Sequence, residues 1–192
     1  GPGGKFIGDI ALEDWHWTLG VNLWGPIHGC QVFTPVLRAA GAPAGIINVS
    51  SAASFGAAPG MAAYNVSKAA VIALSETLRG ELASAGIGVT VACPMFFNTN
   101  LLDTMRYTDE FESEFAHATF DNARMTADEV ARAVVKAVEK GKLYAVPHGS
   151  GKVFWKLKRL SPGFWHGIQA FLNYNGVGRR LFLWMARKGL MQ

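Results

Sequence analysis

Residues 51–68 read SAASFGAAPGMAAYNVSK, and they set a hydroxyl, a phenol and an ammonium at fixed spacing between two predicted elements. Before them, Gly45 opens the run Ile46-Ile47-Asn48-Val49-Ser50-Ser51, β-branched and bounded by a turn and a small-residue loop. That pattern predicts a strand buried on both faces, with Ser51 at its carboxyl end. After them, Val66, Ala70, Leu74, Leu78 and Leu82 recur at helical spacing and predict a helix over 61–85 with that side inward, ended by Gly86. In open α/β sheets ligands bind at the carboxyl ends of strands, so a serine there is well placed for chemistry.

Tyr64 and Lys68 are four residues apart and share one helix face. A free phenol with a pKa near ~10 is a poor acid or base at neutral pH. A neighbouring ammonium stabilises the phenolate and lowers that value, which makes Tyr64 a proton-transfer candidate. Alone, Tyr-x-x-x-Lys is common in helices and carries little meaning. Its weight comes from Ser51, thirteen residues before Tyr64, across a Gly/Ala/Pro loop that can return the hydroxyl towards the helix start.

Working outward, Leu12, Trp15, Leu19, Leu23 and Ile27 predict a long helix from Leu12 to about Ala40 with one buried face. Gly25 and Pro26 are the expected kink. Asn22 is a polar residue inside that periodic stretch. Val89 to Cys93 predicts a second buried strand, stopped by Pro94. Residues 95–125 read as irregular, with Phe96, Phe97, Leu101, Leu102, Met105, Phe111, Phe115 and Phe120 among acids, and a substrate lid is expected there. Thr126-Ala127-Asp128-Glu129 is a capping box that starts an amphipathic helix through Val130, Val134 and Val138 to Gly141. Leu143 to Val146 predicts a last strand. The alternation of helix and strand predicts an α/β fold of parallel strands covered by helices on both faces.

Charge divides the chain. Residues 151–192 hold eight Lys or Arg and no Asp or Glu, whereas residues 1–150 hold ten basic and fourteen acidic side chains. The expected organisation is a catalytic α/β unit over 1–150 and a basic, aromatic helical extension over 151–192, broken at Ser161-Pro162-Gly163 and Asn175-Gly176. Such an extension fits packing on its own domain, closing of a substrate pocket, docking on another subunit, or peripheral contact with an anionic membrane. Cys30 and Cys93 sit in apolar surroundings and read as buried free thiols, which fits a cytoplasmic protein. No apolar run approaches the roughly 20 residues that span a bilayer. The five histidines lack metal-ligand spacing, so no metal is expected. Asn48-Val49-Ser50 and Asn65-Val66-Ser67 match the glycosylation pattern by chance. The aromatics of the extension sit among Leu and Ile as core residues do, so nucleic acid is not an expected partner.

Ser51, Tyr64 and Lys68, with Asn22 upstream and Pro94 to Thr99 after the second strand, resemble the short-chain dehydrogenase/reductase family from about Asp9 to Val146. The resemblance implies a Rossmann-like, doubly wound parallel sheet, of which this chain is the C-terminal, catalytic portion. It implies NAD or NADP as cofactor and interconversion of a carbonyl and a secondary alcohol. Tyr64 would exchange a proton with the substrate oxygen, and Ser51 would hydrogen-bond that oxygen. Lys68 would lower the Tyr64 pKa and hold the ribose hydroxyls, and Asn22 would keep a water in the proton relay. Pro94 and Thr99 match the segment that contacts the nicotinamide end. Met95 stands where family members commonly have Gly.

No G-x-x-x-G-x-G or G-x-G-x-x-G loop occurs, so the family's pyrophosphate seat is expected to lie in an N-terminal portion that precedes Gly1. By itself the chain is then expected to bind cofactor weakly and to expose an unpaired edge at Ile46 to Val49, favouring poor solubility or homo-oligomers. The apolar lid and extension point to a hydrophobic small-molecule substrate. The competing expectation is a truncated, non-catalytic module that serves binding or oligomerisation.

Overall fold

The computed structural model describes residues 4–41, 43–104 and 110–191. Its centre is a parallel sheet in the order β1 (Gly45–Val49), β2 (Gly88–Ala92), β3 (Tyr144–Ala145). Gly45 pairs with Gly88 through to Val49 with Ala92, and Val91 and Ala92 pair with Tyr144 and Ala145. All three carboxyl ends therefore open on one edge, and the chain leaves them at Ser50, Cys93 and Val146.

Alternation along β2 explains the layering, because successive side chains point to opposite faces. Val89 meets Leu78 of α4 (Ala62–Glu81) and Leu82 just beyond its end, together with Cys30 of α2 (Gly25–Ala40). Val91 and Cys93 continue that face against Val71, Ala52 and Phe55. Ala92 turns the other way, onto Val134 and Ala137 of α6 (Ala127–Glu139) beside Ala145. Helices thus cover both faces of the central strand, as the order of elements predicts. Thr126 and Glu129 form the expected capping box: the Glu129 N–H donates to Thr126 Oγ1 at 3.3 Å and the Thr126 N–H to Glu129 Oε2 at 2.8 Å.

Four expectations need correction. β1 is not buried on both faces: Ile46 and Asn48 face the helices, but Ile47 is 46% and Val49 58% exposed because α6 reaches only β2 and β3. Of the predicted α4 stripe, Leu78 and Leu82 are buried and Leu74 packs on the same core, but Val66 is exposed, and the inward line towards the helix start runs through Ala63, Ser67, Val71 and Ser75. Two serines enter the core because their hydroxyls donate to their own helix, Ser67 to Tyr64 O at 2.8 Å and Ser75 to Val71 O at 2.7 Å. The long first helix is α1 (Leu12–Leu19) and α2 joined by a π-helical turn over Gly20–Trp24, so its irregularity centres on Asn22 and not on Pro26. Leu12 is exposed, while Thr18 supplies buried contact. The lid segment is not wholly irregular: Asn100–Thr104 forms a 3-10 turn and α5 spans Glu110–Asp121. Met105 lies outside the described residues.

Three helices follow β3: α7 (Gly149–Leu160), α8 (Pro162–Tyr174) and α9 (Val177–Arg187), separated at the two predicted breakers. No described helix is long and apolar enough to cross a membrane. Both thiols are free and buried.

Candidate active site

The site is assembled where β1 ends and α4 begins. Ser50 and Ser51 leave β1 side by side and do different work. The Ser50 hydroxyl is buried and donates to the Lys68 carbonyl at 2.7 Å, tying α4 to the strand end. The Ser51 hydroxyl accepts the Ala53 N–H at 3.2 Å and makes a long contact of 3.5 Å with the Pro94 carbonyl. Ala52 N–H donates to that same Pro94 carbonyl at 2.9 Å, so the exits of β1 and β2 are clipped together. The short helix α3 (Ala53–Gly56) then carries the chain away, with Ser54 Oγ donating to the Ser51 carbonyl.

Tyr64 lies in the first turn of α4 and Lys68 one turn on, with Lys68 Nζ 5.8 Å from the centre of the phenol ring. Lys68 Nζ also donates to the Val49 carbonyl at 3.1 Å. Burial pushes the Tyr64 phenol above its ordinary value, opposed by a hydrogen-bonding interaction with the Ser51 hydroxyl. Burial holds the Lys68 ammonium below its ordinary value, opposed by the nearby Cys93 thiol. The expected lowering of Tyr64 is therefore outweighed by desolvation, and Ser51 is the neighbour that pulls the phenol down.

Asn22 is half-buried in the π turn, which packs against α4, the helix that carries both Tyr64 and Lys68. No hydrogen bond joins its side chain to Ser51, Tyr64 or Lys68 among the described residues. Pro94 is buried behind Ser51, and Thr99 lies further along the same exit, its Oγ1 accepting the Leu101 N–H at 3.2 Å. The sequence thus marks four groups on two helices and a strand end, and three of them, Ser51, Tyr64 and Lys68, converge.

Residues that sequence reading passed over hold the surroundings. His148, 2% exposed, ends the exit from β3 and caps α7; its Nδ1 accepts the Met95 N–H at 3.1 Å. That bond fixes the segment that carries Met95. Gly151 is buried where the three exits meet: a Cβ on it would stand 3.2 Å from Val146 Cγ1, 3.3 Å from Met95 Cγ and 3.8 Å from Ala52 Cβ. From the extension, Trp165 Nε1 and Gln169 Nε2 both donate to the Gly56 carbonyl, at 3.0 and 2.7 Å, and Lys158 Nζ donates to Ser54 O at 3.3 Å. Beside the site, Phe96 meets Phe115 and Phe120 edge-on at 6.0 and 5.6 Å between ring centres. Only a Trp and a Gln spaced four apart hinted at the clamp, and nothing in the sequence names Gly56 as their partner.

The family model described as short chain dehydrogenase matches residues 2–110 of this chain. The chain belongs to the short chain dehydrogenase family. Among relatives of the chain, the probable oxidoreductase EphD of Mycobacterium tuberculosis is 37% identical over 152 residues, covering 74% of this chain and 25% of that protein. The C alpha-dehydrogenase of Sphingobium is 32% identical over 152 residues, covering 74% of this chain and 50% of that protein. The chain thus spans a quarter to a half of the length of these relatives. A short chain dehydrogenase/reductase of Burkholderia phymatum, solved in complex with NAD, superposes with a TM-score of 0.76 at 27% identity, over 84% of this chain and 63% of that one. The fold of this family member is thereby a Rossmann-type α/β fold.

Proposed function

We propose that the protein is an oxidoreductase that interconverts a carbonyl and a secondary alcohol on a hydrophobic substrate with NAD or NADP. The observation that carries this reading is the convergence of Ser51, Tyr64 and Lys68 at the carboxyl ends of parallel strands, with the Ser51 hydroxyl acting on the Tyr64 phenol. The dinucleotide in the Burkholderia structure and the dehydrogenase name of the Sphingobium relative support the class of reaction.

The donor set fits the nicotinamide-ribose end of such a cofactor. Lys68 has three N–H donors and spends one on Val49 O, which leaves two for ribose hydroxyls. Pro94 and Thr99 line the adjoining exit of β2. When bound, the cofactor supplies or accepts the hydride. Tyr64 gives its phenolic proton to the substrate oxygen in the reducing direction and takes it back in the other. Ser51 donates a hydrogen bond to the same oxygen, where negative charge develops. Asn22 holds the relay behind Lys68. The Phe96, Phe115 and Phe120 cluster offers an apolar wall, which favours a hydrophobic substrate.

Assaying the protein with NAD(H) and NADP(H) against a panel of apolar ketones and secondary alcohols tests the reading. Turnover that falls by ~10²-fold or more in Tyr64→Phe, with cofactor affinity little changed, is expected. Equal turnover by Tyr64→Phe would overturn it. A second reading, a binding or oligomerisation module, is favoured by the exposed apolar face of β1 and by Val32, Phe33 and Val36 on α2. It would show as a stable oligomer with no turnover of any pair in the panel.

A further inference from the structure

We propose that α7 and α8 form a docking surface for an anionic lipid membrane. The inner face of α8 is occupied, since Trp165 and Gln169 both bond to Gly56 O and Trp165 packs on Phe154 of α7 at 5.2 Å between ring centres. Its outer face is not: Phe164, Ile168 and Phe171, spaced by four and three, make one stripe, with Phe164 62% and Phe171 67% exposed. The same spacing on α7 aligns Val153, Leu157 and Leu160, all exposed, Leu160 at 84%. Water gains nothing from two such stripes, and an amphipathic surface of this kind lies in the boundary between headgroups and acyl chains.

Charge selects the occupant. Residues 151–192 carry eight basic side chains and no acidic one. Lys152 and Lys156 each directly precede a residue of the α7 stripe, are exposed, and have no ion-pair partner among the described residues. Arg159 precedes the third but stacks on Trp155 at 5.0 Å. On α9, Arg187 pairs with Glu114 and Arg179 stacks over Phe111 at 4.9 Å, whereas Lys152 and Lys156 stand directly beside the apolar stripe of α7. Lysine beside exposed Leu and Phe is the pattern that seats on phosphate headgroups while the apolar stripe enters the acyl boundary.

Co-sedimentation of the protein with vesicles of phosphatidylcholine alone, and of phosphatidylcholine mixed with phosphatidylglycerol, tests this. Binding at least about tenfold stronger to the anionic vesicles is expected, weakened by added salt. The K152E/K156E pair should lower it by about tenfold or more, and the F164S/F171S pair should abolish it while leaving the melting temperature in place, since both rings are exposed. Equal binding to both vesicle types, or full binding by the Phe pair, overturns the proposal. Absence of vesicle binding together with a dimer in light scattering that the Phe pair dissolves also overturns it, and makes this face a contact between copies of the chain.

Discussion

The Gly56 carbonyl accepts the indole N–H of Trp165 at 3.0 Å, across 109 residues of chain. Gln169, one turn further along α8, donates to the same oxygen. The pair holds the end of α3 where Ala57 takes a left-handed backbone with φ of 49°, a conformation that a non-glycine residue adopts at some cost. The loop that starts at Ser51 is therefore fastened by the C-terminal helices. Replacing both, Trp165→Phe with Gln169→Ala, removes two neutral hydrogen bonds worth about 1 kcal/mol each. Amide exchange at residues 52–57 is expected to speed up by about tenfold or more while β2 amides stay as slow as before. Unchanged exchange at 52–57 would show that α3 holds itself.

Ser51→Ala has a defined direction on Tyr64. The Ser51 hydroxyl lowers the phenol pKa that burial raises, so its removal shifts the pKa further up. In the oxidising direction phenolate is the base, and the rising limb of the pH–rate profile should move to higher pH in Ser51→Ala. Turnover should fall by ~10²- to 10³-fold, the range for losing one donor to a developing oxyanion. An unmoved limb would assign the ionisation to another group.

His148 makes stability sensitive to acid. Burial holds its imidazole below the ordinary 6.5, helped by Lys152 and opposed by the Phe96 backbone. The Met95 N–H bonded to Nδ1 likewise requires the neutral ring. A depressed folded value means that the unfolded chain binds the proton more readily, so this contribution is full above 6.5 and is lost as pH falls through the folded value. The urea midpoint should drop between neutral pH and the acid side of 6.5. In His148→Gln, whose carbonyl can still accept from Met95 but does not titrate, that drop should be smaller.

Gly151→Val tests the meeting of the three strand exits. Even the first carbon of the new side chain would crowd Val146 Cγ1 and Met95 Cγ at 3.2 and 3.3 Å. Overpacking of this kind costs about 1–3 kcal/mol, which a shift in the urea midpoint measures. Gly163→Val on exposed α8 meets nothing within 4 Å and serves as the control for valine in a helix.

What the residues determined alone is local. Tyr64 and Lys68 share a face because α-helical geometry puts residues four apart together, and Ser51 lies just past a strand end because a β-branched run meets a small-residue loop there. The order of elements was enough for parallel strands with helices on both sides. Which face of β1 is covered was not legible, since Ile47 and Val49 are as apolar as Ile46 and only the reach of α6 separates them. Leu78 and Leu82 face inward as their spacing predicts, but towards the start of α4 the inward residue is Ser67 and not Val66, because Ser67 and Ser75 hide their polarity in bonds to their own helix.

The chemistry of the candidate site divides in the same way. Its residues are a sequence pattern, but the rise of the Tyr64 pKa, the clip of Ser51 to Pro94, the grip of α8 on Gly56 and the bond from Met95 to His148 join segments tens of residues apart. Spacing along the chain is silent about such contacts, because burial and hydrogen bonding depend on which segments fold against one another, and tertiary packing alone decides that.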